Sequence, residues 1–406
     1  MPRFTTKQVI INGSHNEPSA ASVRYATLMG NGSSSISNTE ANAQAPMPTN
    51  GTLSNFQAGL TNAPTAGNSW AFTVRVAGAD SALSVTVADA AVTSAVDTDV
   101  VSVTAGQLVN ISITPTGTPA AGGATYWSCT FTPAIPGETI LLGTNLGTAG
   151  ATTNFLSLAG AHTPDTVEAD THIMPCCAGT FKKFYVAVTA APGAGTSVVY
   201  TLRKAAGNTS VAVTISETGT SGNDTTNTSI AAADDKYAVQ QVTGSGAPTY
   251  SVAKYGVVFM PDVPGNFPIC FVTDDALNTG ATEFAPLAAG NTVLTATESE
   301  TKCLASVGFT LKRISVWLSA SPGVSSRAYS FTARKNATTD LATTVTLTAT
   351  TTGNASIDST VTAGDFLATK IAPLNSPTGT PKSSIAYLGY IAPTFTYFPL
   401  SAMGVG

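Results

Sequence analysis

Residues 179–204 read GTFKKFYVAVTAAPGAGTSVVYTLRK. Phe184, Val186 and Val188 alternate with more polar neighbours, and so do Val198, Tyr200 and Leu202. A period of two is the signature of a half-buried β-strand. Between the two runs, Pro192 fixes its own φ, and Gly193 and Gly195 permit any. The stretch therefore predicts strand, tight turn, strand, as a hairpin.

The pattern recurs in GTLSNFQAGLTNAPTAGNSWAFTVRV (51–76) and FTLKRISVWLSASPGVSSRAYSFTARK (309–335). The turn prolines Pro64, Pro192 and Pro322 stand 128 and 130 residues apart, and Arg75, Arg203 and Arg334 close the second strand each time. A fixed period of this length marks a repeat architecture. It predicts three tandem units, 1–133, 134–261 and 262–393, each with its own core, and a tail, 394–406. The tail is apolar and expected to pack on a neighbouring unit or subunit.

Working outward, an early strand is expected at 8–11, 139–143 and 268–272. Alternating runs follow at 83–87, 211–215 and 344–348. Turns are expected at Gly106, Asp234 and Gly364, because glycine and aspartate tolerate turn geometry. The last strand of each unit places Trp127, Tyr255 and Tyr387 at matching positions, and Pro133, Pro261 and Pro393 end the units. About eight strands per unit and no helix make the fold class all-β. Three β-sandwich domains are expected, jelly-roll-like rather than seven-stranded. Linkers as short as PAIPGE and PDVPGN fix the units against each other. Three like units in one chain allow a pseudo-threefold cluster imitating a trimer, with a linear string as the alternative.

Charged residues are 10% of the 406, against about 25% in ordinary domains, and 18 basic against 23 acidic residues give a net charge of −5. With no basic block, nucleic acid is not an expected partner. No apolar run reaches the ~18 residues of a membrane helix. The first residues, MPRFTTKQVIING, hold no signal-peptide core, so synthesis in a cytoplasm without a cleaved signal is expected. Cys129, Cys176, Cys177, Cys270 and Cys303 do not recur between units, which predicts free, mostly buried thiols rather than a disulfide framework.

No residue stands out as catalytic, cofactor-binding or metal-ligating, and no cofactor is expected. Glu168, Asp170, His172, Cys176 and Cys177 are ligand types within ten residues. Zinc sites space their ligands in CxxC or His pairs, whereas adjacent cysteines on a strand point apart. The histidines His15, His162 and His172 do not recur, and no GxSxG elbow accompanies them. The pairs Asp97/Asp99, Asp234/Asp235 and Asp274/Asp275 lack EF-hand spacing and are expected to be turn residues. Trp70 and Trp127 sit on apolar faces and are expected in the core. Trp317 lies in a run apolar on both faces. Arg75, Arg203 and Arg334 are expected to bind a loop carboxylate or carbonyl.

APGAGTSVVYTLRK, continued by TSVAVTISETGTSGNDTTNTSIAAAD and closed by GSGAPTYSVAKYGVVF, resembles the β-sandwich repeats in structural proteins of tailed bacteriophages. Such repeats occur on heads and in fibres or tail appendages. The resemblance spans all three units and is best in the second. It implies a non-enzymatic virion structural protein, a capsid decoration or an appendage component. Expected partners are other virion proteins, such as the major capsid protein or tail and fibre subunits, with a homo-oligomer, a trimer, among the implied states. The alternatives are a receptor-binding fibre or adhesin recognising host glycans through loops 31–50, 161–172 and 291–302, and a bacterial surface-layer or filament subunit. A virion surface is the implied location.

Overall fold

The computed structural model describes residues 3–14, 17–30, 36–145, 147, 153–290 and 294–396. The chain is all-β: thirty strands and three short 3-10 helices among the described residues. The strands form pairs of packed sheets, and apart from one two-stranded pairing no sheet mixes strands from 1–133, 134–261 and 262–393.

The middle span shows the arrangement. Its eight main strands in chain order are Thr139–Asn145, Asn154–Leu156, Gly179–Val188, Gly193–Lys204, Gly207–Glu217, Ser221–Ala231, Tyr237–Ser245 and Ala253–Pro261. The first, eighth, third and sixth lie side by side in one sheet, and the second, seventh, fourth and fifth in the other. That is the connectivity of a jelly roll. The spans on either side repeat both orders.

The quoted stretch is therefore not a hairpin. Gly179–Val188 and Gly193–Lys204 are strands of different sheets, and the Pro192 turn carries the chain across the sandwich. A period of two identifies a strand but not its partner. The tight hairpin comes one strand later, where Lys204 pairs with Gly207 across Ala205 and Ala206. Both alanines have left-handed φ, 48° and 65°, as a two-residue primed turn demands. Alanine pays about 1–2 kcal/mol for that conformation. Ala206→Gly is expected to stabilise the protein by about 1 kcal/mol, read as a shifted urea midpoint at unchanged slope.

The two sheets differ in what they face. In Gly207–Glu217 only Val211, Val213 and Ile215 are buried and the residues between face water, so this sheet is an outer wall, rich in threonine. In Thr139–Asn145 every residue is buried, and in Ala253–Pro261 all but Met260. One face of that sheet packs inside its sandwich and the other against the preceding span, where Gly256 meets Pro46 and Pro48. Burial accordingly crosses the 133/134 and 261/262 boundaries. One apolar cluster runs from Ile10 through Trp127 and Tyr255 to Cys270, a second joins Val9 and Ile11 to the third span, and a third gathers Met174 and Cys176 with Trp317, Ala386 and Leu388. The short linkers were expected to hold the units in contact, and this packing joins their apolar interiors across both boundaries.

One alignment also changes. In the last strand Ile385 lies opposite Val316, as Trp127 lies opposite Ala58 and Tyr255 opposite Val186. Tyr387 is two residues further on, buried, its hydroxyl paired with Thr369. A step of two keeps the same face, so periodicity alone does not separate the two choices.

Of the tail, Thr394–Thr396 pairs antiparallel with Arg3–Thr5, and residues 397–406 lie outside the described residues. No helix among the described residues is long and apolar enough to cross a membrane.

Candidate functional site

Three glycines at a spacing of 130, Gly30, Gly160 and Gly290, meet at one point. The Gly30 carbonyl accepts the N–H of Ala161 at 2.7 Å and of Gly290 at 3.1 Å. A Cβ on Gly160 would lie 2.8 Å from the Gly290 nitrogen and 2.9 Å from the Gly30 oxygen. Equivalent positions of three spans touch each other only about a pseudo-threefold axis.

The seams around that axis repeat in cyclic order. Pro48 of the first span packs on Gly256 of the second. The equivalent Cys176 of the second meets Ala386 of the third, its Sγ 3.6 Å from that carbonyl and 3.2 Å from Ser315 Oγ. Ser306 of the third donates its N–H to Ser128 Oγ of the first at 2.8 Å. The ring is closed, and the pairing of Arg3–Thr5 with Thr394–Thr396 stands in the third seam where the other two have covalent linkers.

Each seam carries its own polar chemistry. Between the first two spans, Gln8 bonds the backbone of Ile140 twice, at 2.9 and 2.7 Å. Beside it the buried Glu138 carboxylate accepts Thr49 Oγ1 at 2.6 Å, Lys183 Nζ at 2.7 Å and Lys182 Nζ at 3.0 Å. Burial pushes this carboxyl up, but the donors outweigh it and hold it below the usual glutamate value. Between the second and third spans, Asp234 accepts Arg313 Nη2, Ser315 Oγ and Asn354 Nδ2. Asp234 has φ 66° where its equivalents are Gly106 and Gly364; the aspartate tolerates the turn and supplies a carboxylate to the seam. Nearby, Lys382 Nζ meets Asp170 at 2.8 Å and Asp165 at 3.2 Å, and buried His162 lies 3.0 Å from Asp274. At the third seam the Tyr126 and Phe366 rings meet edge-on at 5.4 Å.

The recurring arginines are internal to each span. Arg75, Arg203 and Arg334 reach Glu40, Glu168 and Glu298 at 2.6–2.8 Å, each glutamate beginning a 3-10 turn. They also donate to the carbonyls of Gly78, Ala206 and Ala337 and cover Tyr25, Phe155 and Phe284. One guanidinium thus ties a loop, a short strand and the tight hairpin together. Its planar fork does what an ammonium does not. Arg203→Lys is expected to cost about 1–2 kcal/mol, the worth of a charge-assisted bond, read by thermal unfolding. The glutamates were legible in principle: Glu40, Glu168 and Glu298 keep the 128 and 130 spacing of the prolines.

The structure disperses the other candidates. Glu168 is taken by Arg203 and Asp170 by Lys382. Burial pushes the Cys176 thiol up to about 12 and lowers His172, whose ring packs edge-on against Trp317 at 5.1 Å. Among the described residues no three His, Cys, Asp or Glu side chains converge as a metal ion requires. The cysteines are free, all but Cys177 fully buried. Asp97 caps Ser84 and Asp99, Asp235 pairs with Lys204, and Asp275 accepts the Leu294 N–H. Trp70 and Trp127 are in the core, and Trp317 is buried at the second seam. His15 and parts of the loops 31–50 and 291–302 lie outside the described residues.

No protein-family model matches this chain, and no curated protein is similar enough to count as a relative.

Proposed function

We propose that the chain is a non-enzymatic structural protein of a tailed-phage virion surface, a capsid decoration or an appendage component, and that it acts as a pseudo-trimer made by one chain. The closed ring carries this reading. The faces that three separate subunits would bury against each other are buried here within a single chain. What remains outside is three threonine-rich, weakly charged walls, suited to a particle surface. A pseudo-threefold body fits a site where three identical partner subunits meet, so the capsid is the preferred location. Its chemistry is burial of surface, and the dispersed titratable groups fit that.

The glycan-binding alternative calls for an aromatic groove. Among the described residues Phe395 is the one strongly exposed aromatic ring, and it lies beside the termini rather than in the loops.

Immunogold electron microscopy of the source culture, with antibody to the purified chain, tests the proposal. Gold over phage heads is the expected result, and gold confined to tail tips turns the reading to receptor binding. Bare virions with labelled cell surfaces or free filaments overturn it.

A further inference from the structure

One position in each seam is filled differently, and the difference is charge. On the seam-facing sheets Ala187 pairs with Lys254, Trp317 with Ser384 and Gly59 with Tyr126, at matching register. The facing span brings two side chains to each pair. One lies four residues after the glutamate of the 3-10 turn, as Gln44, His172 or Lys302. The other lies two residues after Gly106, Asp234 or Gly364, as Leu108, Lys236 or Phe366. At the second seam the His172 ring meets Trp317 at 5.1 Å, and Lys236 Nζ lies 5.0 Å from that indole. At the third, Tyr126 meets Phe366 edge-on at 5.4 Å, with Lys302 Nζ 4.9 Å from the same ring. The first seam follows the same plan. Thr144, opposite Lys254, donates Oγ1–H to the Asn42 carbonyl at 3.4 Å, and Gly256, two residues on, meets Pro46.

The second and third spans thus each bring an ammonium to their seam, whereas the first brings the uncharged Gln44 and Leu108. At the first seam the charge sits on the other side. Lys254 is 3% exposed, and among the described residues no carboxylate, ring or carbonyl takes its ammonium. Burial, with nothing to offset it, holds it below the usual lysine value. A buried charge without a partner destabilises the fold that holds it. Such a charge still discriminates, because specificity is built from clashes with the wrong partner as well as from fit to the right one.

We infer that Lys254 determines which span closes on the second: it admits the uncharged face of the first span and repels the cationic faces of the second and third. Head-to-tail faces such as these build either closed rings or open filaments. With Lys254 in place, the second and third spans of one chain do not seat on the second span of another. Only a first span fits, and each chain already holds its own. One side chain thereby guards the order of the ring at this seam. This rests on the seams and holds whether or not the chain decorates a virion.

The test gives the first span the charges of the other two. Gln44→Lys reproduces Lys302 and Leu108→Lys reproduces Lys236. Each is made in the wild-type chain and in the chain carrying Lys254→Met, and urea unfolding is followed at low salt. Lys254→Met alone is expected to raise the midpoint, since it removes the unpaired ammonium. The loss in folding constant from each added lysine is expected to be about tenfold larger with Lys254 present than after Lys254→Met, because like charges then face each other out of water. A variant that folds only after Lys254→Met counts as the larger loss. Equal losses in the two backgrounds overturn the inference, and so does a Lys254→Met chain no more stable than the wild type.

Discussion

Gly160→Ala is expected to destabilise the protein by about 3–5 kcal/mol, in the range reserved for strained backbone and overpacking. Two effects add. Gly160 has φ 83°, where an L side chain costs about 1–2 kcal/mol. The added methyl also meets backbone, not a yielding side chain: the Gly290 nitrogen at 2.8 Å, the Gly30 oxygen at 2.9 Å and the Gly290 Cα at 3.1 Å. It wedges all three spans apart at once. Gly195→Ala separates the two effects. Gly195 has φ 70° with open space around its would-be Cβ, so it carries the conformational cost alone, about 1 kcal/mol. Urea unfolding of the two variants is the measurement. Equal losses would mean that the axis is not packed as described.

Glu138→Ala is the second large effect, expected at about 3 kcal/mol, the lower end for a broken buried ion pair because both lysines reach water. The carboxylate is wholly buried while Lys182 and Lys183 are 22% and 23% exposed. Its loss frees two ammonium groups and Thr49 at the first seam. The pH dependence follows from the lowered pKa. A carboxyl held below its ordinary 4.5 contributes stability that is present above pH 4.5 and lost as pH falls through its folded value. The wild type should therefore lose stability below pH 4.5 more steeply than Glu138→Ala. Parallel acid unfolding curves would remove Glu138 from the account. Asp165, also held below its ordinary value by net hydrogen bonding against burial, adds to the acid loss in both proteins.

The strands were legible because alternation is local: Val211, Val213 and Ile215 announce a face before any partner is known. The sheet order was not, since the Pro192 turn reads the same whether it closes a hairpin or crosses a sandwich. The 3-10 turns at Glu40, Glu168 and Glu298 are too short for a period to show. The seams escaped for a related reason. Ser128, Gly256 and Ala386 face a neighbouring span, and at those positions the side chains are small rather than apolar, because the neighbouring span approaches them closely. That is a signal of size, and hydropathy does not carry it. The axis glycines did appear in the repeat, as Gly30, Gly160 and Gly290, but a repeated glycine is equally a turn. Only the packed structure shows that they meet. The arginines were the best-read side chains: the expected carboxylate and the expected carbonyl both accept from them.

The central claim is that three jelly rolls of one chain close into a ring. Small-angle X-ray scattering of the purified protein, at a dilution where the measured mass is that of one chain, tests it most directly. A compact body of 406 residues has a radius of gyration of about 22 Å by the size law for folded chains, whereas three such units in a row give roughly 32 Å. The ring predicts a value in the low twenties and a single-peaked distance distribution. A value near 32 Å with an extended tail would contradict it.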